Sequence, residues 1–188
     1  MGISERYYRR MENPTNEPGE PKGYSQESLD MLKTDEGQLN AVFACFGSAA
    51  QHAQMFEQGL SKFLIVYNIV TSEGVPLEDL DSLKDELGQK TMGALLGELK
   101  KHIAFPEQDV PELFGNALKA RNFLMHHFFL ELGDQLSTSE GRMGLLQLLI
   151  TIEKTLDNSR IMINAMRIAT CKTLGLDDEY PHNPISKN

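Results

Sequence analysis

The chain has little cysteine, no long apolar run and few basic residues relative to its acidic ones, and each shortage excludes a class of protein. Its 188 residues include Cys45 and Cys171, each in an apolar helical stretch without a second cysteine or histidine at ligand spacing. This pattern argues against a disulfide-stapled fold and against a zinc site. It predicts that both thiols pack as small apolar groups in the interior.

The sequence also lacks the segments that direct a chain to a membrane. No stretch approaches eighteen consecutive apolar residues, and no charged and then apolar leader follows Met1. We therefore expect a cytoplasmic protein with no membrane partner. A length of 188 residues is sufficient for one domain with a sizeable core plus an extension.

The net charge of −9 argues against a surface that binds duplex nucleic acid mainly through its phosphates. The charge is unevenly distributed, however. Residues 36–110 contain eleven acidic and five basic residues, whereas residues 111–188 contain nine and eight. The C-terminal half is therefore close to neutral, and a local nucleic-acid site there is compatible with the composition.

Hydrophobic periodicity predicts an all-α fold. Apolar residues recur every three or four positions through 36–70, 90–103, 111–132 and 140–174, and no segment shows the alternation typical of a strand. The segment between the first two helices contains glycine and proline and predicts at most a short helix. We expect these elements to form an antiparallel four-helix bundle.

The domain boundaries follow from composition. Residues 1–35 are rich in Pro, Gly, Asn and Glu without apolar periodicity, which predicts a flexible N-terminal arm. Residues 36–175 form the predicted helical bundle, and residues 176–188 are a short C-terminal tail.

The stretch "ARNFLMHHFF" puts polar side chains into an otherwise apolar and aromatic helix. At about 100° per residue, Arg121 falls in the middle of the apolar stripe. Asn122 and His126 follow on one flank, with Lys119 beside them. His127 falls on the far side. Because an unpaired buried arginine is costly, either a carboxylate pairs with Arg121 or the helix lines a cleft that binds an anion.

A carboxylate for this arginine is present in the first predicted helix. Glu57 is the only acid set among the core positions of that helix. This placement predicts an ion pair between Glu57 and Arg121, because long charged side chains are rarely left unpaired in an interior. Such a pair is compatible with a functional role, since it would also orient the guanidinium.

The remaining histidines give no sign of a metal site. His52, His102 and His182 are scattered, and no HExxH motif or paired histidine and carboxylate set occurs. We therefore expect neither a structural nor a catalytic metal, and no other cofactor.

The sequence "RNFLMH" fits an R-x4-6-H pattern with Asn after the Arg, and in this respect the chain resembles the HEPN superfamily (higher eukaryotes and prokaryotes nucleotide-binding). The order of helices over residues 36–175 is also similar. The resemblance implies a homodimeric four-helix bundle whose two motifs face each other and form one metal-independent ribonuclease site. Arg121, Asn122 and His126 would then be catalytic, with Glu57, Lys119 and His127 in support.

The resemblance also implies partners. Many such proteins are toxins or antiphage effectors, often paired with a nucleotidyltransferase antitoxin. The expected partners are a second copy of the chain, an RNA substrate, and an antitoxin or another regulatory protein. The toxin branch that is modified by its antitoxin has Tyr two residues after the motif His. This chain has Phe128 there, which argues against control by adenylylation of that residue.

The residue types suit metal-independent RNA cleavage. Histidine titrates near neutrality and can act as base or acid, so two copies of His126 in a dimer would supply both. The planar fork of Arg121 matches phosphate oxygens, and Asn122 would orient the histidine or the sugar.

Two other hypotheses compete with the endoribonuclease. The first is a catalytically silent helical dimer that binds a nucleotide or a protein partner, with Arg121 and Glu57 purely structural. The second is an all-α nucleotide pyrophosphatase, which needs clustered carboxylates for magnesium. The sequence offers only isolated pairs such as Glu153 and Asp157, so this hypothesis ranks last.

Overall fold

A computed structural model describes residues 30, 32–71, 77–103, 105, 109–173 and 175. The arm predicted for 1–35 lies outside the described residues except at its C-terminal end. The tail predicted for 176–188 lies outside them entirely.

Every regular element among the described residues is a helix, so the predicted all-α class is confirmed. Within the described ranges, six α-helices and one 3-10 helix follow one another: α1 (Asp35–Thr71), α2 (Leu77–Gly88), α3 (Met92–His102), α4 (Asp109–His126), α5 (Phe128–Leu132), the 3-10 helix η1 (Gly133–Ser137) and α6 (Ser139–Thr173).

Threonine side chains cap three of these helices. Thr34, Thr91 and Thr138 each accept a hydrogen bond from the backbone N–H three residues later, at 3.0, 3.4 and 3.1 Å respectively. Each bond satisfies a donor that the first helical turn leaves unpaired and stabilises the helix by about 1 kcal/mol. These caps fix where α1, α3 and α6 begin, and each start lies within two residues of the predicted one.

The two long helices run in the same direction. Gln38 of α1 contacts Arg142 of α6, Ser48 contacts Glu153, and further along Gly59 lies against Ile163. The residue numbers rise together in both helices, so the antiparallel arrangement predicted for the bundle is wrong for this pair. The reason is α2, which adds one more reversal of the chain between the first and last helices.

The helix predicted for 111–132 runs antiparallel to α1 and packs on it through aromatic rings. The ring centroids of Phe56 and Phe114 are 5.5 Å apart, and those of Phe46 and Phe128 are 5.6 Å apart. Phe56, Phe114 and Phe128 are buried. Burial of each such ring contributes about 1.5 to 3 kcal/mol, and the two contacts together set the register between the helices.

Arg142 is buried, with 5% of its surface exposed, and is the only arginine so buried among the described residues. Its Nε donates to Gln38 Oε1 at 3.0 Å and its Nη1 donates to the carbonyl oxygen of Leu136 at 2.8 Å. Its Nη2 forms an ion pair with Asp35. These bonds tie the start of α1, the end of η1 and the start of α6 together.

Candidate functional site

Helix α4 holds the candidate site on the face that it turns away from the core. Its buried residues are Phe114, Ala117, Ala120, Phe123 and Leu124. At about 100° per residue these positions cover one side of the helix, which leaves Asn122 and His126 on the opposite side, where both are exposed. Arg121 lies at the boundary between the buried and the exposed sides of α4 and is half-buried.

The structure brings three predicted catalytic residues together. Arg121 Nη1 donates to Asn122 Oδ1 at 3.2 Å and lies 3.4 Å from His126 Nε2. Because Nη1 of a guanidinium is only a donor, a hydrogen bond between these two atoms is one in which Nε2 accepts. Residues five apart are about 140° apart around a regular helix, so the arginine side chain lies across the helix surface to reach His126.

The helix is interrupted immediately after this cluster. His127 has φ −126° and ψ −25° and separates α4 from α5. The chain keeps its helical path, since His127 N donates to Phe123 O at 2.9 Å and Glu131 N donates to His127 O at 2.8 Å. The His127 Nδ1 atom lies 3.2 Å from Glu131 Oε1. His127 therefore interacts with Glu131 and not with the cluster.

The predicted ion pair between Glu57 and Arg121 is not formed among the described residues, where Arg121 contacts Asn122 and His126 instead. The helix register explains the difference. The two ring contacts between α1 and the α4–α5 segment place Arg121 level with about residue 50, so Glu57 lies about 10 Å further along the axis. Both Glu57 and Arg121 are only half-buried, so neither requires an ion pair to satisfy its charge.

Lys119 is exposed and stands apart from the cluster. It precedes His126 by seven residues, which puts the two on the same side of α4 but about 10 Å apart along the axis. Within the part of the chain that the structure describes, Lys119 forms no ion pair.

Aromatic side chains surround the C-terminal end of the motif. Phe128, two residues after His126, is fully buried and faces the core. Its ring lies 5.0 Å from that of Phe129, which is partly exposed. Met125 and Leu130 are also exposed, Leu130 by 86%. Apolar surface therefore adjoins His126.

Sequence reasoning missed Arg142, although a signal for it exists. Arg142 precedes the buried residues Leu145 and Leu149 by three and seven positions, which puts it on their apolar stripe. The prediction concerned Arg121, which forms no ion pair among the described residues, whereas Arg142 is buried and pairs with Asp35.

A second polar cluster joins α1 to α6. His52 Nδ1 lies 3.6 Å from Glu153 Oε1, and His52 Nε2 lies 3.6 Å from Asp157 Oδ1. Ser48 Oγ donates to Glu153 at 2.9 Å, and Arg160 Nε donates to Asp157 at 2.8 Å. Both carboxylates considered as magnesium ligands are thus engaged by protein groups.

Each cysteine packs against or within the core. Cys171 is buried, and Cys45 is half-buried. Burial raises the pKa of the Cys45 thiol, and the negative charge of Glu153 raises it further. A smaller fraction of the Cys45 thiol is therefore in the reactive thiolate form at a given pH.

The described residues include no group of three or more His, Cys, Asp or Glu side chains arranged to hold a metal ion. None of the helices seen in the structure combines the length and the apolar character needed to cross a membrane. Comparisons with protein-family models, with curated proteins and with solved structures give no match for this chain.

Proposed function

We propose that this chain is a metal-independent endoribonuclease of the HEPN type. The observation that carries the proposal is the contact of Arg121 with Asn122 and His126, and with no carboxylate among the described residues, at a surface open to solvent. In an ion pair, the positive charge of the guanidinium would be compensated by a carboxylate. In this arrangement Arg121 keeps its charge for a phosphate, and the imidazole of His126 lies beside it.

The reaction needs two proton transfers. The imidazole of one His126 takes the proton of the ribose 2′-OH, and the 2′-oxygen attacks the adjacent phosphorus. The bond from phosphorus to the 5′-oxygen breaks, and a protonated second histidine gives its proton to that oxygen. Arg121 stabilises the charge on the phosphate oxygens. The products are a 2′,3′-cyclic phosphate and a 5′-hydroxyl.

A homodimer supplies the second histidine, because the cluster of one chain contains only one. Leu130 supports an interface beside the motif. It follows His126 by four residues on the same side of the helix, and 86% of its surface is exposed. In this proposal α1, α3, α4 with α5, and α6 correspond to the four-helix bundle of the family, and α2 is an addition.

The test is incubation of labelled single-stranded RNA with the purified protein in EDTA. We expect cleavage that leaves 2′,3′-cyclic phosphate ends and follows a bell-shaped pH profile, since one histidine must be neutral and its partner protonated. His126→Ala should abolish cleavage with little change in melting temperature, because His126 is exposed. His127→Ala is the matched control and should retain most activity. If the wild-type dimer cuts no RNA, or His126→Ala cuts as well as wild type, the proposal is wrong.

A silent helical dimer that binds a nucleotide or a protein is the second candidate. The exposed apolar side chains of Met125 and Leu130 favour it, because such surface typically marks a protein interface. Leu130→Asp distinguishes the two functions. If the site is shared between two copies, this change should convert dimer to monomer in sedimentation and also abolish RNA cleavage. A dimer that dissociates in this way but never cleaved RNA would favour the binding protein.

The resemblance further suggests a role as a toxin or defence effector under the control of an antitoxin or regulatory protein. Growth arrest on expression of the wild-type chain, and normal growth with His126→Ala, would support this role.

A further inference from the structure

Two phenylalanine rings are partly exposed to solvent at the surface where α1 meets α5. Phe43 is 49% exposed and Phe129 is 37% exposed, and their ring centroids are 5.8 Å apart at an interplanar angle of 39°. We call Phe43 and Phe129 the outer aromatic pair.

Two inner rings pack against Phe129, one member of the outer aromatic pair. The Phe129 ring lies 4.8 Å from that of half-buried Phe46 and 5.0 Å from that of buried Phe128. The Phe46 and Phe128 rings lie 5.6 Å from each other. Phe129 contacts all three of the other rings and therefore has little rotational freedom left to lose when a ligand binds, whereas Phe43 contacts Phe129 alone among them.

The pair adjoins the cluster on α4. Phe129 follows His126 by three residues, so the two side chains are neighbours on the helix surface. Leu130 lies on the other side of His126, about 100° from Phe129 around the axis. A second copy that docks over Leu130 would therefore leave the side of His126 that faces the outer aromatic pair open.

The chemistry of this surface matches that of one nucleotide. Arg121 and His126 offer a cation and a hydrogen-bonding ring for a phosphate, while Phe43 and Phe129 offer flat apolar surface. The carboxylate of Glu131, which would repel a phosphate, is paired with His127 at 3.2 Å. The cation of Arg121 beside exposed rings favours a nucleotide strand, which combines an anionic phosphate with a flat base, over a purely apolar partner.

We propose that the outer aromatic pair stacks an unpaired base of the RNA strand whose neighbouring phosphate binds at Arg121 and His126. This inference rests on the proposed function and names its substrate class. A base within a duplex is already stacked and paired, so its faces are not free for a side chain. The stretch of RNA that binds here is therefore single-stranded.

The chain contains no tryptophan, which provides a direct test. Phe43→Trp introduces a single indole into the pair, and Ile161→Trp introduces one at a distant exposed position on α6. The probe is a twelve-nucleotide strand of 2′-O-methyl uridine, which cannot be cut because the 2′-oxygen is blocked. We expect this strand to quench the fluorescence of Phe43→Trp. A strand of the same charge without bases should not quench it, and Ile161→Trp should respond to neither.

Affinity provides the second measurement. Phe43→Ala should weaken binding of the uridine strand about fivefold or more, Phe43→Tyr should restore it, and neither should change binding of the strand without bases. Circular dichroism of Phe43→Ala checks the fold. Should Phe43→Ala disturb it, the fluorescence of Phe43→Trp still decides the question.

Three results would overturn the inference. Equal quenching by both strands would mean that only the backbone binds. A blue shift of Phe43→Trp that grows with protein concentration in the absence of RNA would mean that a second copy covers the pair. An indole shielded from acrylamide in the monomer would mean that the chain itself covers it. Because the strand is not cut, base-dependent quenching together with an inactive enzyme would refute only the proposed nuclease.

Discussion

Arg121 Nη1 lies 3.4 Å from His126 Nε2, with Asn122 Oδ1 bound to the same nitrogen at 3.2 Å. The guanidinium of Arg121 therefore contacts His126 Nε2, which is the nitrogen that would transfer the proton in the proposed reaction. A phosphate that takes the guanidinium for itself would free that nitrogen. In the proposed nuclease, this competition would link substrate binding to the availability of the base.

The nature of the cation at position 121 should therefore matter. We expect Arg121→Ala to lower kcat/KM for RNA by about a hundredfold or more, because it removes charge stabilisation of the transition state. Arg121→Lys keeps the charge but loses the planar fork, so it should recover only part of the activity. Steady-state kinetics in EDTA measure both. A lysine variant as active as wild type would show that charge alone suffices.

The buried arginine should be far more important for stability than the predicted ion pair. Arg142→Ala leaves the acceptors of Gln38 and Leu136 without their donor, and should lower the free energy of unfolding by about 3 kcal/mol. Glu57→Ala should change it by less than about 0.5 kcal/mol, since Glu57 forms no ion pair among the described residues. Denaturant melts test the two variants side by side. A larger loss from Glu57→Ala than from Arg142→Ala would contradict the register described above.

Gly141 and Gly144 of α6 allow a controlled test of how closely α6 packs on η1. A Cβ at Gly141 would overlap the backbone oxygen of Gln135, whereas a Cβ at Gly144 would have no neighbour within 4 Å. Gly141→Ala should therefore lower the free energy of unfolding by about 2 kcal/mol. Gly144→Ala should raise it by about 0.5 to 1 kcal/mol through helix propensity. Thermal melts that show the same sign for both would argue against this close approach.

Cys45 should react slowly with iodoacetamide in the folded protein. Burial and the charge of Glu153 raise its thiol pKa, so less thiolate is present at any pH below the folded-state value. We expect Glu153→Gln to increase the alkylation rate modestly, because burial is the larger cause and persists. Mass spectrometry of alkylated peptides across pH 7 to 10 gives the rates, with urea-unfolded protein as the reference. Equal rates in folded and unfolded protein would show that the thiol is not shielded.

Local features of the sequence determined which segments are helical and which of their faces are apolar. Three helices begin with a threonine cap, at Thr34, Thr91 and Thr138. A local pattern can identify such a start, because capping involves only residues within one turn. Helix geometry also puts Asn122 and His126 on one side of α4, and the long side chain of Arg121 reaches across the helix surface to contact both.

Only the tertiary structure decided how the helices align with each other. Hydrophobic periodicity predicts which side of a helix faces the core. It does not predict which residue of the neighbouring helix lies opposite a given residue of that side. The ring contacts of Phe46 and Phe56 with α5 and α4 place Glu57 away from Arg121. The additional helix α2 makes α1 parallel to α6, which brings Gln38 to Arg142. The same packing joins Phe43 to Phe129, 86 positions later in the chain. Such contacts depend on the summed packing of the whole core, so no single local pattern encodes them.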